Sequence, residues 1–192
     1  MPLALVVTGC PAAGKSTLGL ALARELGAAL VDLDSATAPL VSVVLGLMSL
    51  EDLDELRDLG RRDPDALGLA DRTRAARYET VTALAEDSLR AGTPVVVVAP
   101  FTRERRDPDA WAALARRLEA AGGEPHLVWI SMPAAVALSR LQARGAERDR
   151  RKIADVSTYL AGLDLAPPTV EHILVHGEGA LTTQVSAVLT AL

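Results

Sequence analysis

The sequence predicts a single α/β domain with a mostly parallel sheet, and three observations carry that expectation. Short apolar, β-branched runs alternate with longer amphipathic stretches along the chain. The first of these runs leads through a glycine-rich turn into a helical pattern. At 192 residues the chain has the size of one domain and can bury a substantial core.

Leu3 to Thr8 reads as the first strand, and Lys15 to Leu26 as the helix after it, closed by Gly27. Ala29 to Leu33 is a second apolar run, ending among Asp32 and Asp34. From Ser35 to about Gly60 the pattern is helical in pieces, and Asp71 to Ala91 is a long helix stopped by Gly92. Pro94 to Ala99, PVVVVA, is the most β-branched run and reads as a strand buried on both faces. Asp107 to Ala121 is a helix with Pro108 near its start and Gly122-Gly123 beyond its end. His126 to Ser131 is the fourth strand, Pro133 to Arg144 a helix, Glu171 to Val175 the fifth strand and Leu181 to Leu192 the closing helix. With no internal repeat and no dividing linker, residues 1–192 are expected to form one domain.

Composition narrows the function. Hydrophobic residues make up 49% and charged residues 23%, and nothing approaches the roughly 18 uninterrupted apolar residues of a membrane span. No membrane partner is therefore expected. A net charge of −5 argues against a general nucleic-acid binder, which needs a basic face to replace counterions. The chain enters an apolar strand without a basic leader, and its one cysteine, Cys10, offers no disulfide framework. Both point to the cytoplasm. Lys15 and Lys152 are its two lysines, and it has no asparagine.

Residues 9–16, Gly-Cys-Pro-Ala-Ala-Gly-Lys-Ser, match G-x-x-x-x-G-K-[ST] in full, between a strand and a helix. Small residues let backbone N–H groups converge on phosphate, and the positive end of the helix dipole faces the anion. Gly9, Ala12, Ala13, Gly14, Lys15, Ser16 and Thr17 are accordingly the expected nucleotide contacts. Lys15 is expected at the β- and γ-phosphates and so takes a catalytic role, Ser16 at Mg²⁺ and Thr17 at the α-phosphate. Cys10 reads as a small filler of the loop.

Such loops serve switches, motors and small kinases. A GTPase switch reads guanine through N-K-x-D, which a chain without asparagine lacks. Motors usually end a strand in adjacent acids, whereas the third strand here ends Val98-Ala99-Pro100-Phe101. The phosphate loop, the D-x-D of VDLDS, the stretch RYETVTALAEDSLRAGTPVVVVAPF and the segment SRLQARGAERDRRK together resemble small P-loop kinases of the nucleoside-monophosphate-kinase fold. The resemblance is to the shikimate and gluconate kinase group and the chloramphenicol phosphotransferase-like proteins. It implies a P-loop NTPase three-layer sandwich with strand order 2-3-1-4-5, a substrate-binding helical region at about 35–91 and a short lid at about 145–155. APFTRE stands where shikimate kinases carry a glycine triplet, which argues against shikimate itself, and gluconate kinases also fit this region poorly.

Asp32 and Asp34 are two apart, so on a strand they point to one side. One carboxylate can hold the Mg²⁺ water shell while the other takes the acceptor's proton; a helix cap, more readily at Asp34, is the alternative for one of them. Similarity to the D-x-D of shikimate kinase-like enzymes assigns Asp32 to the metal and Asp34 to the substrate and the general base. Similar kinases place a guanidinium on the adenine or the phosphates where Arg144 stands, and Arg148 falls in the lid as a catalytic cation. On the acceptor side, Phe101, Arg103 and Arg105 follow the third strand, and Arg74, Tyr78, Val81 and Ala85 share a helix face. The uncharged stretch Ala36 to Met48 suits a buried helix, a pocket wall or a homodimer contact. Trp111 and Trp129 read as core, and His172 and His176 lack the partners of a metal site.

The expectation is an ATP- and Mg²⁺-dependent kinase acting on a hydroxyl of a small molecule: a metabolite, sugar, nucleoside or antibiotic. A nucleoside or nucleotide kinase is the alternative within the class, and an ATP-binding regulator with slow hydrolysis the alternative outside it.

Overall fold

Strand β1 (Leu3–Gly9) lies at the centre of the sheet because both its faces are apolar. Leu5 and Val7 enter one layer of the core, and Ala4 and Val6 the other, all fully buried. The computed structural model describes residues 1–46, 69–144 and 162–192. Helix α1 (Lys15–Leu26), β2 (Ala29–Asp32), α2 (Leu33–Gly46), α3 (Leu69–Arg90) and β3 (Val95–Val98) follow β1. After them come α4 (Pro108–Ala120), β4 (Glu124–Ser131), α5 (Ala134–Arg144), β5 (Ile173–His176) and α6 (Leu181–Ala191).

The strands pair in parallel in the order β2-β3-β1-β4-β5, as the resemblance implied. Strand β3 repeats the two-faced burial of β1. Val96 and Val98 join Leu18 and Leu22 of α1, Ala137 of α5 and Val188 of α6 in one layer. Val95 and Val97 join Val81, Ala85 and Leu89 of α3 and Leu118 of α4 in the other. A βαβ crossover covers both faces in this way, and the result is the α/β three-layer sandwich expected from the sequence.

The register sets the active edge. Gly9 is level with Ile130, Asp32 with Val98, and Ser131 with His176, so the carboxyl ends of the strands finish together. Ligands of open α/β sheets bind at that edge. The edge is braced by a clamp between the β3–α4 loop and the segment entering β5. Arg105 donates to the carbonyls of Ala166 and Asp164, and Arg106 donates from Nε and Nη2 to the Asp164 carboxylate. Thr169 returns bonds to the Arg105 and Arg106 carbonyls. Among the described residues, no helix is long and apolar enough to cross a membrane.

Candidate active site

The phosphate loop begins where β1 runs out of partners. Gly14 caps α1 with φ +98°, a conformation glycine takes without steric cost, and Ala12 sits at φ +64°. The turn is closed by the Ala13 N–H on the Cys10 carbonyl at 3.2 Å. Lys15 lies along the loop and donates to the carbonyls of Gly9 and Cys10, both at 2.9 Å. Gly177, after β5, packs against the loop from behind: a Cβ there would lie 3.1 Å from the Ala13 carbonyl oxygen. Burial pushes the Cys10 thiol above its usual range, although Lys15 and Arg105 pull the other way. That suits the filler role expected of it.

The loop forms one end of a cavity of about 550 Å³, whose walls also include Asp32, Asp34, Arg74, Arg77, Tyr78 and Arg140. Ala12, Gly14, Lys15, Ser16 and Thr17 line the loop end. Gly9 is not among the lining residues but packs against the loop, where a Cβ would lie 3.3 Å from Ala13 Cβ, and the Ala13 side chain is buried.

The two aspartates reach the cavity by a different route from the one their spacing suggests. Strand β2 ends at Asp32 and α2 begins at Leu33, so Asp34 is in the first turn of a helix rather than on a strand. The cap is Asp32, not Asp34: its Oδ1 accepts from the backbone N–H of Asp34 at 2.9 Å and of Ser35 at 3.3 Å. Its Oδ2 accepts from the Ser16 hydroxyl at 2.6 Å. Asp34, 56% exposed, pairs through Oδ1 with Arg77 Nη2 at 2.9 Å. Arg77 is fixed in turn by its Nε on the Thr37 hydroxyl at 2.7 Å, and buried Thr37 donates to the Leu33 carbonyl.

Sequence reasoning missed Arg77, although it stands three residues after Arg74 and therefore shares its helix face. It also gave no role to Arg140, which lines the cavity and donates to the Gly177 carbonyl at 2.9 Å. The same spacing rule relates Arg140 to Arg144. Arg144 ends α5, but its side chain, like Arg148, lies outside what the structure describes. The same holds for the 145–155 lid and for residues 47–68 of the helical region.

The acceptor-side expectations divide. Arg74 and Tyr78 line the cavity, with the Arg74 guanidinium 5.0 Å from the centre of the Tyr78 ring. Val81 and Ala85, expected on the same face, are fully buried against the sheet, so the face open to the cavity stops at Tyr78. Phe101 is not a contact surface: it is 1% exposed and packs edge-on against Tyr78. Arg103 is not among the residues that line the cavity; it is 77% exposed and 3.8 Å from Asp107. Arg105 is consumed by the clamp. Burial pushes the Tyr78 phenol above its usual range, against the nearby Arg74, so it stays protonated and can form hydrogen bonds.

Residues 5–166 match the family described as an AAA domain. The chain belongs to this AAA domain family. Comparison with curated proteins finds no match. Solved structures similar to this AAA domain chain include a candidate kinase from Chloroflexus aurantiacus, 23% identical over 99% of this chain and 95% of that one, with a TM-score of 0.66. A gluconokinase from Sinorhizobium meliloti is 18% identical over 98% and 90% of the two chains, TM-score 0.57. A shikimate kinase from Aquifex aeolicus is 18% identical over 98% and 95%, TM-score 0.53. The AAA domain chain therefore shares the P-loop fold of small kinases.

Proposed function

We propose that the chain is an ATP- and Mg²⁺-dependent phosphotransferase that moves the γ-phosphoryl group to a hydroxyl of a small molecule. The observation that carries this reading is that one cavity holds both the phosphate loop and a second carboxylate, Asp34, beyond the one bonded to Ser16. A protein that only binds or slowly hydrolyses ATP has no need of that second group. Relatives in fold that are named gluconokinase and shikimate kinase support the reaction class.

The residues present suit the metal. The Ser16 hydroxyl and Asp32 Oδ2 are hard oxygen donors at 2.6 Å from one another, beside the loop that would cradle the phosphates. When bound there, Mg²⁺ would neutralise charge on the β- and γ-phosphates. Lys15 exchanges its bonds to the Gly9 and Cys10 carbonyls for phosphate oxygens and follows the charge as it moves. Asp34 takes the proton of the attacking hydroxyl as its oxygen bonds to the γ-phosphorus and the bond to the β-phosphate oxygen breaks, releasing ADP. Arg77 holds Asp34 in the orientation that this transfer needs. Arg140 supplies positive charge at the donor end. Residues 145–155, with Arg148, are the proposed lid, and the cytoplasm the proposed compartment.

The test is transfer itself. Labelled ATP, Mg²⁺ and pooled sugars, sugar acids, nucleosides and aminated natural products should yield a new phosphorylated compound, and Lys15→Ala should abolish it. No product from any pool, with ATP binding still lost in Lys15→Ala, would favour a nucleotide-binding regulator.

A further inference from the structure

Just beyond β3 the chain adopts a conformation that its residue type avoids. Phe101 has φ +40°, in the left-handed region that favours glycine. Such a residue persists where its surroundings over-determine it. Its carbonyl accepts from the Arg105 N–H at 3.0 Å, and the preceding carbonyl, of Pro100, accepts from the buried Thr8 hydroxyl. Its own N–H donates to the Tyr78 hydroxyl at 3.2 Å. The two rings meet edge to face, with centroids 5.5 Å apart and planes at 83°.

Tyr78 also carries the Arg74 guanidinium on its ring. Ala99 and Pro100, which precede the turn, line the cavity, and so does Arg74 on α3. One phenol therefore touches both the turn that sets one wall and the cation on another element.

We propose that Tyr78 is a positioning residue for the acceptor half of the cavity. Its hydroxyl holds the left-handed turn at Phe101, which a glycine would adopt unaided, and its ring seats Arg74. The distance between the Ala99–Pro100 wall and the Arg74 cation is thereby fixed. The inference rests on the reading of this half as the acceptor side, but the hydrogen bond at its centre can be tested without any acceptor.

Phe101 is the chain's single phenylalanine, so [¹⁵N]phenylalanine labelling of the full chain gives one backbone amide signal, from the turn itself. Tyr78→Phe keeps the ring and removes only the oxygen. Exchange of the Phe101 amide with solvent should accelerate about tenfold, the scale of one lost buried hydrogen bond. In the transfer assay, the KM of whichever acceptor the pools reveal should rise about fivefold or more while the KM for ATP stays within about twofold. Unchanged exchange would overturn the strut. Faster exchange with an unchanged acceptor KM, or with both KM values raised alike, would overturn the positioning role and leave a bond that only supports the fold. A wild-type protein that transfers to no acceptor would count against the kinase reading, and amide exchange alone would then decide the strut.

Discussion

Replacing Asp164 with alanine removes the centre of the clamp at the carboxyl edge of the sheet. Asp164 Oδ2 lies 2.6 Å from Arg105 Nη2 and 2.8 Å from Arg106 Nε, and Oδ1 accepts from Arg106 Nη2. The Arg105 side chain is 4% exposed, so its charge has little access to water once the carboxylate is gone. Breaking a buried ion pair by removing one partner costs about 3–5 kcal/mol. Arg105 keeps two carbonyl acceptors, at 3.0 and 2.8 Å, and Arg106 is partly solvated, which places the expected loss near the lower end, about 3 kcal/mol. For a chain of this size that lowers Tm by about 6–12 °C. Urea unfolding followed by circular dichroism measures it. A loss below about 1 kcal/mol, the scale of an exposed ion pair, would refute the buried clamp. The clamp also gives the stability a pH signature. Burial works to raise the Asp164 pKa, but the Arg106 hydrogen bond and the charges of Arg105 and Arg106 outweigh it and hold the carboxyl below its usual range. A carboxylate with a depressed folded pKa contributes fully above its unfolded value, about 4, and loses that contribution as pH falls through the folded value. The stability difference between wild type and Asp164→Ala should therefore be constant above about pH 4 and shrink as pH falls below that value.

Three other outcomes are expected. Asp34→Asn should leave ATP affinity, measured by calorimetry, nearly intact while transfer falls about 10²-fold or more; unchanged turnover would remove Asp34 from the mechanism. Gly177→Ala puts a Cβ 2.5 Å from Met132 Cε and 3.1 Å from the Ala13 carbonyl oxygen, so it should raise the KM for ATP and cost about 1–3 kcal/mol in unfolding. A Gly177→Ala variant with wild-type nucleotide affinity would show that the loop does not depend on this contact. Because burial raises the Cys10 pKa, alkylation by iodoacetamide at pH 8 should be slow in the folded chain and rapid in urea. Fast labelling of the folded protein would contradict the buried thiol.

Much of the fold was legible because the signals were local. A strand buried on both faces writes itself as a run such as PVVVVA, and α1 spans the predicted Lys15–Leu26. The phosphate loop was legible for the same reason: its chemistry needs contiguous small residues between a strand and a helix. The acceptor side was harder because long-range partners decide it. Nothing local distinguishes Arg103, which faces solvent, from Arg105, which is buried on carbonyls some sixty residues away. Asp32 and Asp34 were judged as strand neighbours, and one residue's difference in where β2 ends turned the pair into a cap and a first-turn residue. Phe101 followed the third strand as expected, but its backbone conformation and its bond to Tyr78 depend on α3 packing against that strand.

The Asp32 carboxylate is shared, one oxygen on Ser16 and the other on the first turn of α2. That makes it a joint between two parts which selection would otherwise tune separately. On the proposed phosphotransfer reading, re-aiming α2 to admit a new acceptor would drag on the oxygen bonded to Ser16, and strengthening the grip on the donor would pull the turn that carries Asp34. On the same reading, new acceptor preferences would be easier to reach through Arg74 and the Ala99–Pro100 wall, which line the cavity without bonding that carboxylate.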